Sequence, residues 1–443
     1  MKKSKSVAIL AEMGTGKTLI TIALAGTLYN NQKINKMLIV APLSIVSVWE
    51  SEFKKFADFD FNIAVLDGSS QKKYQALNNL FGKGLQVAVI NYESCWRIEE
   101  MLAIWQPDLI VCDESSKIKN PQAKQSKALH RLGKQSKHNI ILTGTPVTNN
   151  PLDFFSQYKF LDENIFGSSF YAFRARYAIL GGYGNHQVVG YKNLPELVEK
   201  AHSIAFRITK KEALDLPEQV DQIRLVDLEP KAETQYRLLE RESVAELEQG
   251  NVVAMNVLTK LLRLSQITGG FVKTEISDEA VPISSAKINA LEEIIDECMD
   301  ARKKLVVFAR FVVEIDAIER LLIKKKIGYA LIKGDVKDRA EQVEKFQKDE
   351  TVRVFVGQIQ TTGMGLTLTA ADTAVFYSLD YSFSSYEQAK ARIHRIGQKN
   401  NCTYIHLIAN KTIDEKVFDA LKRKKSIADL VVDNWRSLFN TNK

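Results

Sequence analysis

The residues with the clearest chemical pattern are at positions 11–18 of this 443-residue chain, where the sequence is Ala-Glu-Met-Gly-Thr-Gly-Lys-Thr. Gly14 and Gly16 let the backbone turn tightly, so that its N–H groups can point at phosphate oxygens. Lys17 would reach the β- and γ-phosphates of a nucleotide, and the Thr18 hydroxyl would bind Mg²⁺. The alternative is an ordinary glycine-rich turn before a helix. We predict that a nucleotide is bound by Gly14, Thr15, Gly16, Lys17 and Thr18.

Two acidic residues directly follow the apolar run 109–112. Asp113 is expected to hold Mg²⁺, largely through the water shell of the ion. Glu114 is expected to orient or deprotonate the water that attacks the γ-phosphate. The alternative is a pair of acids at the start of a helix, where negative charge is common. Because the pair lies downstream of a Gly-Lys-Thr sequence and after a buried strand, we favour the catalytic interpretation.

The turn Thr143-Gly144-Thr145-Pro146 follows the next predicted strand. Its hydroxyls could connect the γ-phosphate site to the rest of the molecule. Taken alone, the same sequence would be only a polar turn.

Composition narrows the classes of partner and compartment. The net charge of +8 and the pI near 9.0 favour a polyanionic partner, most plausibly nucleic acid. The four cysteines are widely scattered, which indicates neither a disulfide framework nor a zinc site and favours a reducing, cytoplasmic compartment. No apolar run approaches the roughly 20 residues of a membrane span, and the basic N-terminus is not a signal peptide.

Short apolar runs alternate with helical patterns along both halves of the chain. This alternation predicts an α/β protein with parallel sheets covered on both faces, whose ligands lie at the carboxyl ends of the strands. The first half has six such runs, at 7–10, 37–42, 63–66, 87–90, 109–112 and 140–143. The second half has five, at 304–309, 329–332, 352–356, 374–377 and 403–408.

These patterns divide the chain into four predicted regions. Residues 1–150 form a nucleotide-binding lobe, and 151–215, which is rich in aromatic residues, form a helical insertion. Residues 216–283 form a linker and a helical protrusion, and 284–443 form a second lobe with C-terminal helices. Since only one lobe has a predicted phosphate-binding loop, residues 11–18, which we call the phosphate loop, we expect the nucleotide to lie between the two lobes.

Six motifs together resemble the Swi/Snf-type ATPases of helicase superfamily two, and they cover nearly the whole chain. They are Gly14–Thr18, Ala41–Ser44 with Val48–Glu50, Asp113-Glu114 with Ile118–Asn120, Thr143–Pro146, Thr361–Leu366 and Gln388–Gln398. The compact size is similar to that of the short bacterial and bacteriophage members. The resemblance implies two RecA-like lobes that close on Mg²⁺-ATP and move along double-stranded DNA.

The resemblance also assigns roles to residues of the second half. Arg392 and Arg395 match arginines that reach the phosphates, where a planar guanidinium stabilises transition-state charge; the alternative is a solvated helix face. Gly363, Gly365 and Gln388 match nucleotide-binding positions. The segments that contact DNA in the family correspond here to Ser44, Tyr92, Thr143, Arg310, Gly334, Thr361 and Thr362.

Two departures from the family pattern affect these expectations. The sequence has Ser115-Ser116 where many relatives have Ala-His, so the coupling of hydrolysis to the other lobe is expected to run differently. The glutamine-containing segment that recognises adenine in the family is missing from the ten residues before Ala11. We therefore expect weakened discrimination between nucleoside triphosphates.

The predicted function is that of a DNA-stimulated ATPase that translocates on double-stranded DNA as a monomer, in the cytoplasm of a bacterial or infected host cell. Forked or branched DNA and a nuclease or replication and recombination partner fit the same prediction. One alternative is a true strand-separating or branch-remodelling helicase. Another is a nucleotide-switched module that binds DNA or a nuclease without productive hydrolysis.

Overall fold

The computed structural model describes residues 5–182, 184, 187–248, 254–273, 280–334, 338–362, 366–429 and 432. These residues form two compact units. Unit 1 contains the described residues up to 215 together with those from 424 onward, and unit 2 contains the described residues from 216 to 423. No helix in these described ranges combines the length and apolar character needed to cross a membrane.

The core of unit 1 is a parallel sheet of seven strands. Its strands and those of a small antiparallel pair are β1 (Ser6–Ala11), β2 (Lys36–Ala41), β3 (Phe61–Val65), β4 (Leu85–Asn91), β5 (Leu109–Asp113), β6 (His138–Leu142), β7 (Ala178–Gly181), β8 (Gln187–Tyr191) and β9 (Ala205–Ile208). The sheet order is β3-β4-β2-β5-β6-β1-β9, and β7 pairs with β8. The helices are α1 (Lys17–Asn30), α2 (Val46–Phe56), α3 (Ser70–Asn78), α4 (Tyr92–Cys95), α5 (Glu99–Trp105), α6 (Lys124–Gln135), α7 (Phe154–Leu161), α8 (Glu163–Phe166), α9 (Phe170–Tyr177), α10 (Leu194–His202) and α11 (Lys210–Ala213).

The apolar runs form strands because both faces of this sheet are covered. Leu38 and Ile39, which point to opposite faces of β2, are both fully buried. On α2, Trp49 and Phe53 lie one helical turn apart and pack into the core cluster on one face of the sheet. The central strands are therefore fixed in position by packing on both sides, which makes their carboxyl ends a rigid edge.

Unit 2 contains a parallel sheet of six strands. Its strands and those of a second antiparallel pair are β10 (Gln219–Val226), β11 (Phe271–Lys273), β12 (Ala280–Pro282), β13 (Leu305–Ala309), β14 (Gly328–Ile332), β15 (Val352–Gln358), β16 (Thr373–Phe376) and β17 (Cys402–Ala409). The sheet order is β10-β17-β16-β13-β15-β14, and β11 pairs with β12. The helices are α12 (Pro230–Glu248), α13 (Ala254–Thr268), α14 (Ala286–Asp300), α15 (Val312–Lys325), α16 (Arg339–Lys348), α17 (Ile359–Thr362), α18 (Phe383–Lys390) and α19 (Ile413–Ala428).

The predicted fold class, α/β with two parallel RecA-like sheets, is confirmed. The region bounds differ from the prediction in three places. The insertion 151–215 includes β9, which pairs with β1, and the linker region begins with β10, which pairs with β17. Described residues from 424 onward group with unit 1, not with the second lobe.

The two strands that sequence reasoning missed share a physical cause. Both are edge strands, and neither has a continuous buried apolar run: none of the four residues of β9 is buried, and seven of the eight residues of β10 are exposed. The helix α18, in which the motif 388–398 begins, ends at Lys390. As a result, Arg392 and Arg395 lie in the turn that follows the helix.

Candidate active site

Three predicted motifs meet at the carboxyl edge of the unit 1 sheet. The strands β5, β6 and β1 are neighbours, and Asp113, Leu142 and Ile9 lie level with one another across them. Adjacent strands are about 4.8 Å apart, so the ends of β5 and β1 are about 10 Å apart, with the β6 turn between them. The sheet therefore brings together the acidic pair, the turn 143–146 and the phosphate loop.

The phosphate loop has the backbone that its glycines predict. Gly14 and Gly16 have φ angles of 85° and 89°, in the left-handed region that favours glycine. Gly16 immediately precedes α1, and no side chain in the described part of the chain caps this helix start by a hydrogen bond. The helix N–H groups that follow are therefore oriented for an anion. The Lys17 amine extends back across the loop and donates to the carbonyl oxygens of Ala11 at 3.1 Å and Glu12 at 3.4 Å.

The loop is anchored from a distant part of the chain that sequence reasoning did not identify. Arg207 of β9 donates to the Glu12 carboxylate at 3.1 Å and to the Leu10 carbonyl at 3.0 Å. The other carboxylate oxygen of Glu12 accepts the backbone N–H of Lys210 at 2.8 Å. These contacts fix Glu12 at the start of the loop, so the short strand β9 supports the loop 11–18.

Asp113 ends β5 and is 7% exposed. Its carboxylate accepts the indole N–H of Trp49 at 3.1 Å. Burial, and after it the negative charge of Glu114, raises the pKa of Asp113 to about 7, whereas Lys17 and the Trp49 hydrogen bond oppose this rise. A buried carboxylate next to a second acid is stabilised when a cation binds. Together with the Thr18 hydroxyl, it supplies the oxygen donors that suit Mg²⁺.

Glu114 has an unusual backbone and an unusual side chain. Its φ of 52° and ψ of 57° place it in the left-handed region, which costs a non-glycine residue free energy. Its Oε2 atom is buried and accepts no hydrogen bond from any described residue. A buried carboxylate oxygen of this kind is a strong acceptor for the proton of a water molecule.

Two residues predicted to contact DNA are buried beneath this edge instead. Tyr92 is 1% exposed, and its hydroxyl donates to the backbone carbonyl of Asp113 at 2.7 Å. Thr143 is fully buried, and its hydroxyl accepts the N–H of Thr145 at 3.0 Å. Their side chains support the acidic residue and the turn from within. Because both side chains are buried, they are not available to contact DNA as expected.

In unit 2, the two predicted arginines converge on one backbone carbonyl. Arg392, which is 4% exposed, donates to the carbonyl oxygen of Leu366 at 3.3 Å, and Arg395 donates to the same atom at 3.2 Å. Gln388 lies in α18 and donates to the Ser384 hydroxyl at 3.4 Å. The motif 388–398 is thus assembled around Leu366, the last residue of the motif 361–366.

The remaining predicted residues lie mainly at strand ends and turns. Arg310 follows β13, and its backbone N–H donates to Ser378 at 2.8 Å and to the Glu314 carboxylate at 3.2 Å. Gly334 lies in an exposed turn after β14, and Ser44 lies half-buried in the 3₁₀ helix Leu43–Ile45. Thr361 and Thr362 belong to α17, without described side chains, and Gly363 and Gly365 lie outside the described residues.

Comparison with known proteins agrees with the motifs. The family model of the SNF2-related domain matches residues 2–269, and that of the helicase conserved C-terminal domain matches residues 286–397. The chain is 27% identical to a DNA repair and recombination protein RAD54-like of Danio rerio, over 95% of this chain and 63% of the relative. It is 25% identical to an uncharacterised ATP-dependent helicase of Mycoplasma genitalium, over 94% of this chain and 39% of the relative.

The chain thus spans less than two thirds of the length of these relatives. Among solved structures, the Sulfolobus solfataricus SWI2/SNF2 ATPase core in complex with dsDNA is 26% identical, with a TM-score of 0.43 and coverage of 100% of this chain and 92% of that one. That structural likeness is loose, and the family assignment depends on the two sequence matches. The chain therefore belongs to the SNF2-related family of ATPases in helicase superfamily two.

Proposed function

We propose that this protein hydrolyses ATP in response to double-stranded DNA and uses the hydrolysis to move along the duplex. The observation that carries the proposal is the meeting of the phosphate loop, the acidic pair and the turn 143–146 on three neighbouring strand ends of unit 1. Family membership, the relationship to RAD54-like DNA repair proteins and the net charge of +8 support DNA as the partner.

In this proposal, unit 1 binds the triphosphate. The backbone N–H groups of Gly14, Thr15 and Gly16 surround the phosphates, and the Lys17 amine turns from the loop carbonyls to the phosphate oxygens. Thr18 and Asp113 would hold Mg²⁺, which neutralises phosphate charge when bound. The proposed gain for Lys17 is large, because an ammonium binds phosphate oxygens more strongly than neutral carbonyl groups.

Glu114 is the proposed base. Its Oε2, which is buried and accepts no hydrogen bond from the described residues, would accept the proton of the attacking water or hold that water in line with the γ-phosphate. The left-handed backbone at this residue fixes the direction of the side chain before substrate binds, so little reorganisation is needed during the reaction.

Unit 2 is proposed to complete the reaction and, together with Ser44 of unit 1, to bind DNA. Arg392 and Arg395 would stabilise the charge that develops on the phosphates, and Gln388, Gly363 and Gly365 would contact the nucleotide. The proposed contacts to the DNA backbone are made by Ser44, Arg310, Gly334, Thr361 and Thr362. Because such contacts are made to phosphates, binding should weaken steeply with salt and should show little sequence preference.

Movement along the duplex can be tested separately from strand opening. We would measure displacement of a third strand from a triplex, and unwinding of a forked duplex, each with ATP and with the Lys17→Ala variant as control. We expect ATP-dependent triplex displacement without separation of the fork. Fork unwinding would favour a true helicase, and the absence of both activities, with hydrolysis intact, would contradict translocation.

A further inference from the structure

A hydrogen-bonded bridge of buried polar groups connects the acidic pair to the turn 143–146. Ser115 directly follows Glu114, and its hydroxyl donates to the side-chain oxygen of Gln157 at 2.7 Å. The Gln157 amide nitrogen donates to the carbonyl oxygen of Pro146 at 2.8 Å. Ser115 and Gln157 are both fully buried, although the rest of α7 packs mainly aromatic side chains. Buried polar groups of this kind are usually retained for a specific contact.

The direction of the Gln157 amide is determined by its neighbours. Its nitrogen also donates to the backbone carbonyl of Asp153 at 2.8 Å, so that it faces two acceptors. The reversed amide would point its oxygen at both carbonyl oxygens and would leave the buried groups without donors. The Ser115 hydroxyl must therefore donate to the amide oxygen, and the bridge has one arrangement of hydrogens.

Further hydrogen bonds fix the end of the bridge at Asp153. At the far end, the Asp153 carboxylate accepts the N–H of Thr148 at 2.9 Å and the N–H of Asn149 at 2.8 Å. The Thr148 hydroxyl also donates to Asp153 at 2.9 Å and accepts the Lys119 amine at 2.6 Å. Because its partners are fixed, the Gln157 side chain can hold Ser115 in a defined position relative to the turn 143–146.

The turn at the end of the bridge also contacts the phosphate loop. A Cβ atom added to Gly144 would lie 3.2 Å from the Ala11 carbonyl oxygen and 3.3 Å from the Met13 nitrogen. The bridge thus runs from the residue after the base, through α7, to a turn packed against the loop that would hold the phosphates. It occurs where the sequence has Ser115-Ser116 in place of the family's Ala-His.

We propose that Gln157 is a positioning residue for hydrolysis, which acts through Ser115 to hold Glu114 in line with the phosphate loop. This inference rests on the proposed ATPase function, and it assigns to a serine–glutamine pair a connection within unit 1 between the acidic pair and the turn 143–146. It predicts a loss of turnover without a loss of nucleotide binding, because neither Ser115 nor Gln157 is among the residues proposed to bind the nucleotide.

The test is ATP turnover by the full chain carrying Gln157→Leu, which keeps a side chain of similar size and removes all three hydrogen bonds of the Gln157 amide. We expect kcat to fall about tenfold, with KM for ATP within about twofold of the wild type. Ser115→Ala should give a similar fall, and the double variant should lose no more than either single variant. Losses that multiply to about a hundredfold, or a rise in KM instead, would overturn the proposal.

Two controls separate positioning from loss of structure. Ser156→Ala changes the preceding residue of the same helix, which is equally buried and contacts His130 Nε2 at 3.2 Å, and should leave kcat within about twofold. In a Glu114→Gln background, measured in single turnover, Gln157→Leu should cause no further loss. If Gln157→Leu does not fold, Ser115→Ala decides alone. If wild-type turnover is the same with and without duplex DNA, translocation is refuted but the role of Gln157 is not. If the wild-type chain shows no turnover at all, both proposals are refuted.

Discussion

Each unit has a lysine near the start of a helix, and the two lysines have different surroundings. Lys17 in unit 1 is partly exposed and donates to two loop carbonyls. Lys287 in unit 2 is 2% exposed, forms a 2.6 Å ion pair with Asp414 and donates to the Tyr377 carbonyl at 3.1 Å. Asp414 in turn accepts the Thr268 hydroxyl at 2.8 Å.

The difference shows how one architecture has two uses for the same residue type. Among the hydrogen bonds described, the Lys17 amine donates only to neutral carbonyl groups. Negatively charged phosphate oxygens would bind this amine more strongly. The Lys287 amine has a carboxylate partner of its own, so its charge serves the stability of unit 2. The two lysines lie in similar parallel-sheet units, so the architecture alone does not distinguish their roles. The hydrogen-bond and ion-pair partners of each amine distinguish them, and substitutions can test this distinction.

Lys17→Ala should give the largest effect on activity. Removing the amine removes the cation that faces the phosphates, so we expect ATP turnover to fall by at least about a thousandfold. The thermal midpoint should change little, because the side chain is not part of the core. Steady-state turnover together with binding of a fluorescent nucleotide checks this, and near-normal binding would contradict the role of the loop.

Arg395→Ala should lower turnover by about a hundredfold to a thousandfold while nucleotide affinity stays within a few-fold of the wild type. The reason is that a guanidinium supplied by unit 2 acts on transition-state charge. Lys399→Ala, at an exposed position four residues further on, is the matched control. Retained hydrolysis in the Arg395 variant would refute its proposed role.

Lys287→Met should lower stability and leave turnover nearly unchanged, which is the opposite of the effect expected for Lys17→Ala. Breaking a buried ion pair leaves the Asp414 carboxylate uncompensated, which typically costs about 3–5 kcal/mol of the free energy of unfolding. Turnover per folded molecule should stay within about twofold of the wild type. Chemical denaturation of the two lysine variants side by side measures the contrast, and equal stability losses would remove the distinction between them.

Glu314→Gln should give the smallest effect, and it depends on pH. Burial raises the pKa of Glu314 from 4.5 to about 7, against the opposing hydrogen bond from Ser378. The folded state therefore binds a proton that the unfolded state releases between these two pH values, and wild-type stability falls as pH rises through this range. The variant should lose about 2–3 kcal/mol less than the wild type between pH 5 and pH 8.

Thermal unfolding at both pH values measures this difference. Glu350→Gln, which changes an exposed acid of the same unit, is the control and should follow the wild-type profile. Parallel pH profiles for the wild type and the Glu314 variant would show that this carboxyl does not titrate in the folded protein as its burial indicates.

The sequence was sufficient to predict the features that depend on local pattern. Continuous apolar runs identify the buried central strands. Gly14 and Gly16 indicate a tight turn with positive φ angles, because glycine is the residue that adopts them readily. The position of Asp113 and Glu114 after such a run is enough to place them at the sheet edge. These inferences need no knowledge of distant contacts.

Other features depend on contacts between residues far apart in the chain. The anchoring of Glu12 by Arg207 joins positions 195 residues apart, and Trp49 reaches Asp113 from 64 residues away. No local pattern marks such pairs. The burial of Tyr92 and Thr143 was missed for the same reason, since family motifs identify segments but not the direction of each side chain. Gln157 carried one usable signal, a polar residue within an aromatic helix.

The most direct test of the account is the rate of ATP hydrolysis by the wild-type chain, measured with increasing duplex DNA at low and at high salt. We predict saturable stimulation of about tenfold or more at low salt, with the half-saturating DNA concentration rising steeply with salt. A rate that stays the same with and without duplex DNA would contradict the central claim that DNA controls hydrolysis at the unit 1 edge.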